Sequence, residues 1–259
     1  MKKRILGIVF SLCLLLGLLY TLFSLLPYNK ESKWSALYFE ADLVKIYEQS
    51  LDELKKAYND MTELDYYEIN SQFLEITNPK IEDKFLYGFE YGDTESWEDA
   101  NKTIYPTKCL QISKNCFDRF ELEVEKGRIF SDDDMEYERS KIPIIVGHEY
   151  NEVLDIGDLL KGVYIQNEFT YEVIGVLGEG SNIDLGGQEV SLDRYLVMPS
   201  FNMEEDPVDK EDDMFQVRHY ANKLSGKLHY HSFREFLECY KKICNINHNV
   251  FQTEGKIIF

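Results

Sequence analysis

Apolar and polar positions alternate along this chain with two periods. Ile5 to Leu26 is an apolar run without a charged residue. From Trp34 to Met61 the residues Leu37, Val44, Tyr47, Leu51, Leu54, Tyr58 and Met61 recur at three, four or seven, which predicts one amphipathic helix of about seven turns. Leu64 to Ile76 alternates loosely and predicts a strand stopped by Asn78-Pro79. Phe85 to Tyr91 and Thr107 to Ser113 predict two more strands, with Thr94 to Tyr105 as a loop holding a short helix. Phe120, Leu122 and Val124 alternate with Glu121, Glu123 and Glu125, the period of a half-buried strand that Lys126-Gly127 stops. Ile142 to Val146 is apolar almost throughout, and Pro143 limits it to a first or edge position. Asn151 to Ile156 reads as a helical turn closing on Gly157. Strands at Gly162 to Gln166 and Phe169 to Leu177 come next, joined through Asn167-Glu168. Tyr195 to Met198, Met214 to Tyr220 and Val250 to Phe259 predict further strands, and Tyr230 to Ile243 a helix. The pattern is that of an α+β chain, with a mixed-sheet domain of two lobes behind one N-terminal apolar helix.

Within the block from Phe117 to Leu177, Gly127-Arg128 is followed by the acidic loop Ser131 to Asp134, and the strand Ile144-Ile145-Val146 ends in Gly147. Leu154-Asp155-Ile156-Gly157 comes next, and Val173-Ile174-Gly175-Val176 closes the block. In this order the motifs resemble the extracytoplasmic core domain of MacB/FtsX-type ABC transporter permeases. The resemblance implies an external domain that does no chemistry and passes motion from a cytoplasmic ATPase to a substrate or partner outside. It also implies ABC ATPase and permease subunits as partners, and a homodimer through part of the Trp34 to Met61 stripe. Permeases of this class carry three more membrane helices after the external domain. This chain has none, so the resemblance implies a partner subunit or the N-terminal part of a split or truncated permease.

The front of the chain predicts a membrane anchor. The 22 residues from Ile5 to Leu26 span about 33 Å as a helix, enough for a hydrocarbon core of about 30 Å. Met1-Lys2-Lys3-Arg4 keeps the N-terminus cytoplasmic, so the chain beyond Pro27 lies outside. A cleaved signal peptide would have a shorter apolar region ending in small residues, unlike Ser24-Leu25-Leu26-Pro27-Tyr28, and bulky Leu12 disfavours lipidation at Cys13. The expected organisation is a cytoplasmic tip and anchor over 1–28, an amphipathic stalk over 29–62, and an extracytoplasmic α+β domain over 63–259. The net charge of -19 argues against nucleic acid as a partner. Outside the anchor, Cys109, Cys116, Cys239 and Cys244 permit two disulfides, locally Cys109 to Cys116 and Cys239 to Cys244 or in two other pairings, and equally suit free buried thiols.

Candidate chemistry is thin. The glycine-rich stretch Gly178 to Gly187 lacks the Lys-Ser/Thr of a phosphate-binding loop and reads as a flexible loop. Asn202 to Asp213 packs seven carboxylates into twelve positions, but without the order of a calcium loop, and reads as an exposed acidic loop. His229-x-His231, with Cys239 and Cys244 nearby, is the one spacing suited to zinc, and two ligands do not make a site. His148 beside Glu149 reads as a polar strand end rather than a base. No serine elbow is present and no cysteine has a recognisable nucleophile signature. The expectation is therefore no enzyme and no catalytic, cofactor-binding or metal residue. Two other classes stand beside the permease reading: a single-pass membrane-anchored binding or adhesion module, and a secreted enzyme processed near Pro27.

Overall fold

The structure, a computed structural model, describes residues 35–39, 49–92, 95–99, 102–137, 141–185, 188–230, 234–238 and 241. The expected anchor over Ile5 to Leu26 and the strand over Val250 to Phe259 lie outside them. Among the described residues no helix is long and apolar enough to cross a membrane. From Ala36 onward the chain belongs to one compact unit, and the two lobes expected from its pattern are not seen.

The fold is a mixed ten-stranded sheet with helices packed against it. Its strands are β1 (Ser35–Phe39), β2 (Tyr66–Asn78), β3 (Trp97–Asp99), β4 (Lys102–Ile112), β5 (Val124–Gly127) and β6 (Ile142–Val146). They continue as β7 (Leu159–Tyr164), β8 (Asn167–Leu177), β11 (Leu196–Pro199) and β12 (Gly226–Tyr230), while β9 (Asn182–Leu185) and β10 (Gln188–Ser191) form a separate hairpin. The order is β1-β12-β2-β7-β8-β6-β11-β4-β3, with β5 added to β8. Because β2 also pairs with β4, the path from β2 through β7, β8, β6, β11 and β4 returns on itself as a ring. Strand β6 runs parallel to β8, and β11 parallel to β4.

Helix α1 (Leu51–Thr62) starts where Ser50 and Glu53 make a reciprocal capping box, each side chain accepting from the other residue's backbone N–H. This start corrects the predicted stalk helix. Ser35–Phe39 is a strand, and the cap fixes the first turn at Leu51 rather than at Trp34. The apolar face of α1, Leu51, Leu54, Ala57 and Met61, is buried in the core of its own chain, so those positions are not open for a second subunit. Substituting Ser50→Ala should cost about 1 kcal/mol of unfolding free energy, read by chemical denaturation of the full-length protein in detergent.

Further segments differ from expectation for local reasons. Phe85 to Tyr91 forms two 3₁₀ turns, Asp83–Phe85 and Phe89–Tyr91, because Gly88 and Gly92 adopt left-handed conformations at φ 93° and 77° that break the run. The expected loop over Thr94 to Tyr105 contains β3 and the start of β4. Phe120 to Val124 is mostly a turn after the short helix α2 (Cys116–Arg119), with Glu121 at φ 53°. The helical turn expected over Asn151 to Ile156 lies earlier, as a 3₁₀ helix over His148–Glu152. The β7–β8 connection is Ile165-Gln166, both at positive φ, with Tyr164 opposite Asn167. Within the glycine-rich segment, Asn182–Leu185 is strand β9, paired with β10, rather than part of a flexible loop. Pro143 lies in an interior strand, but β11 pairs only with Ile145 and Val146, so no ladder bond is asked of it on that side. The predicted strand Met214 to Tyr220 is the middle of helix α3 (Lys210–Lys223). The acidic run opens that helix: Asp209 caps it, accepting from Glu211 and Asp212 N–H, and Glu211, Asp212 and Asp213 complement its dipole. Residues 234–238 are helical, within the helix predicted over Tyr230 to Ile243, whose first residue instead ends β12.

The core has two parts. One unites α1 and α3 with residues of every ring strand, among them Leu74, Cys109, Ile144, Leu160, Tyr171 and Leu196. The other lies on the opposite face, where α2 and the β9–β10 hairpin cover Ile69, Leu110, Ile112, Ile145 and Val197.

Candidate functional site

The block that carries the resemblance folds as contiguous strands around one surface depression. Strand β5 runs antiparallel to β8 with Gly127 opposite Gly175. Gly127 sits at φ +78°, and a Cβ there would come 2.2 Å from the Ile174 carbonyl oxygen, so the crossing requires glycine. Arg128 comes next and forms a two-pronged ion pair with Asp134, one contact at 3.1 Å. Asp134 also accepts from the Ser131 hydroxyl and backbone N–H, both at 2.7 Å. Burial pushes the Asp134 carboxyl up, but the bonds from Arg128 and Ser131 outweigh it and hold the group below the usual carboxylate range. The Gly-Arg and the acidic loop of the sequence block are thus one electrostatic clasp. Beside it, Lys141 pairs with Glu172 at 3.1 Å, and Arg128, Lys141, Pro143, Ile156 and Glu172 line a depression of about 670 Å³. It offers paired charges and apolar edges but no nucleophile or metal-ligand set.

A second constellation is buried where α1 and α3 meet β2. Lys223 and Glu68, both buried, form an ion pair at 2.9 Å. The Glu68 carboxylate also accepts from the Tyr58 hydroxyl at 2.7 Å and from the Ser200 hydroxyl. Lys223 donates to the Ser200 carbonyl at 2.8 Å and lies 4.4 Å from the centre of the Tyr58 ring. Burial pulls the Lys223 ammonium down and Glu68 opposes it; the net direction is down. Ser200 beside Lys223 has the make-up of a serine–lysine pair, but the Ser200 hydroxyl donates to Glu68, and both side chains are buried. The arrangement holds elements together.

His219, one helical turn before Lys223, extends this network. Its Nε2 lies 2.7 Å from the Phe201 carbonyl, which can only accept, so Nε2 carries the proton. Nδ1 then accepts from the Tyr164 hydroxyl at 3.0 Å. Burial, reinforced by the Lys223 charge, lowers the His219 pKa to about 3. The Gln111 amide nitrogen has no partner as placed, and exchanging its N and O positions would let it donate to the Tyr164 oxygen, 3.1 Å from the present Oε1.

Of the histidines and cysteines singled out in the sequence, the described ones, His148, His229, Cys109 and Cys116, do not converge. His148 Nδ1 is 3.1 Å from Glu125, at the partly exposed end of β6. His229 is buried edge-on to the Tyr67 ring at 4.8 Å and lies against the Arg119 guanidinium, 3.2 and 3.3 Å away. Its expected companions His231, Cys239 and Cys244 lie outside the described residues. Among the described residues no three His, Cys, Asp or Glu side chains form a metal-binding group. Cys109 and Cys116 are free and buried, one in each core cluster, so the local pairing between them is not made: the sheet lies between them. Burial pushes the Cys116 thiol up to about 12.

No family model and no curated protein matches this sequence. Among solved structures, the chain is similar to the periplasmic region of MacB from Actinobacillus actinomycetemcomitans, at 11% identity over 85% of this chain and 87% of that one, with a TM-score of 0.44. It is also similar to the extracellular domain of the noncanonic ABC-type transporter YknZ from Gram-positive bacteria, at 14% identity over 83% and 94% of the two chains, with a TM-score of 0.42.

Proposed function

We propose that this chain is the extracytoplasmic part of an ABC transporter permease, held in the membrane by residues 5–26, and that it acts by contact rather than by chemistry. The observation that carries the reading is the ordered set of short motifs from Gly127 to Val176: Gly127, Ile144 to Val146 and Val173 to Val176 lie on adjoining strands β5, β6 and β8, and Arg128, Ser131 and Asp134 beside them close one clasp. Strands β1 and β12, the first and last described in the sheet, are neighbours in it, an arrangement that suits a domain tethered through its flanking segments. A cytoplasmic ATPase would do work on such a domain only through a contact whose free energy differs between two conformations. The buried Glu68–Lys223 tie makes α1, α3 and β2 one stiff body able to pass on displacement.

Protease protection tests the placement. With an epitope tag ahead of Met1, protease added to intact spheroplasts should digest the folded domain and leave the tag. A domain that resists until the membrane is ruptured, or a chain released from membranes by carbonate, overturns the reading.

A further inference from the structure

Among the residues whose exposure the structure describes, the exposed aromatic side chains are Phe73, Tyr87, Phe89, Tyr91 and Trp97. They flank strand β4: Phe73 is on β2, Trp97 on β3, and the other three are on the segment that reaches β4 through Tyr87. Trp97 is opposite Ile104, and Phe73 is opposite Lys108, four residues further along β4 and so on the same face. The Phe73 and Tyr87 rings are 5.8 Å apart, and the Tyr87 N–H donates to Pro106 of β4. Tyr91 is 91% exposed. Exposed apolar surface gathered along one stretch of a domain is a mark of an interaction site.

The charge around the rings selects the partner's chemistry. Residues 82–99 carry seven carboxylates and one lysine, Lys84. The local cations are already engaged within the chain, Lys84 with Glu152 at 3.0 Å and Lys108 with Glu90. One ring of the cluster already accepts a cation: the Arg194 guanidinium lies 5.6 Å from the centre of Phe89. Exposed aromatic faces rimmed by carboxylates attract guanidinium and ammonium groups twice over, through the ring quadrupole and through opposite charge. An anionic lipid surface meets the same carboxylates with repulsion.

We infer that this aromatic and acidic face docks a protein segment that carries arginine or lysine among apolar residues. The inference deepens the contact reading above and takes only the compartment from it. A short fluorescent peptide alternating arginine and leucine, titrated against the full-length protein in detergent, should bind and should weaken about tenfold on Tyr91→Ala/Trp97→Ala, which leaves the net charge unchanged. A peptide alternating glutamate and leucine should not bind. Tyr91→Ala alone, at a side chain open to solvent, should weaken binding severalfold and guards against misfolding of the double variant. Equal binding by wild type and both variants would mean that net charge alone attracts the peptide, and would overturn the inference. So would binding of the acidic peptide, or preferential capture by phosphatidylglycerol vesicles. Peptide binding does not depend on an ATPase, so this test and the permease reading fail separately.

Discussion

Substituting Lys223→Met is expected to lower the unfolding free energy by about 3–5 kcal/mol, because it leaves the buried Glu68 carboxylate without its counter-charge. The Tyr58 and Ser200 hydroxyls still donate to Glu68, but neutral donors do not replace a cation at 2.9 Å. Glu68→Gln in the same chain removes the stranded charge and should restore most of the loss, since a buried pair replaced on both sides is often close to neutral. Denaturant unfolding of the two variants, monitored by tryptophan emission, checks both steps. A Lys223→Met protein within about 1 kcal/mol of wild type would show that the pair does not tie α1, α3 and β2 together.

Acid should weaken the fold through His219. A base whose folded pKa of about 3 lies below its ordinary 6.5 binds its proton in the unfolded chain first, so stability falls as pH drops through that interval. The slope is about 1.4 kcal/mol per pH unit for one proton. Carboxylates also titrate near the lower end, so the comparison is with His219→Gln, which keeps a donor and an acceptor near the Phe201 carbonyl and the Tyr164 hydroxyl. From pH 6.5 to pH 5, wild type should lose about 2 kcal/mol more than this variant. Equal losses would mean that His219 is hydrated and titrates normally. Lys223 adds a second, alkaline trend: its lowered folded value makes stability rise with pH as the pH climbs from that value towards 10.5.

These two residues also mark where sequence reasoning stopped. Strands β2, β4, β6, β7, β8 and β11 are legible because burial of one face writes a period of two, or a short apolar run, into the chain. Helix α3 is hidden because its buried positions include Gln216, His219 and Lys223, which erase the apolar stripe, and because its cap and first turn look like an acidic loop. The aromatic alternation of Phe85, Tyr87, Phe89 and Tyr91 imitates a strand, while the two flanking left-handed glycines decide for turns. The Gly127-Arg128 motif is readable as a motif, but its work, a clasp onto Asp134, needs the loop geometry. No local signal joins Glu68 to Lys223 or Phe73 to Tyr87, because only the fold brings such positions together.

The proposed dependence of the domain on partners can be measured on the native assembly. Full-length protein, tagged at the N-terminus and extracted from its own membranes in mild detergent, should carry with it an ABC ATPase and a multi-span permease in stoichiometric amounts by quantitative mass spectrometry. Recovery of the chain alone, or with soluble or adhesive partners and no ATPase, would contradict a role in an ATP-driven permease.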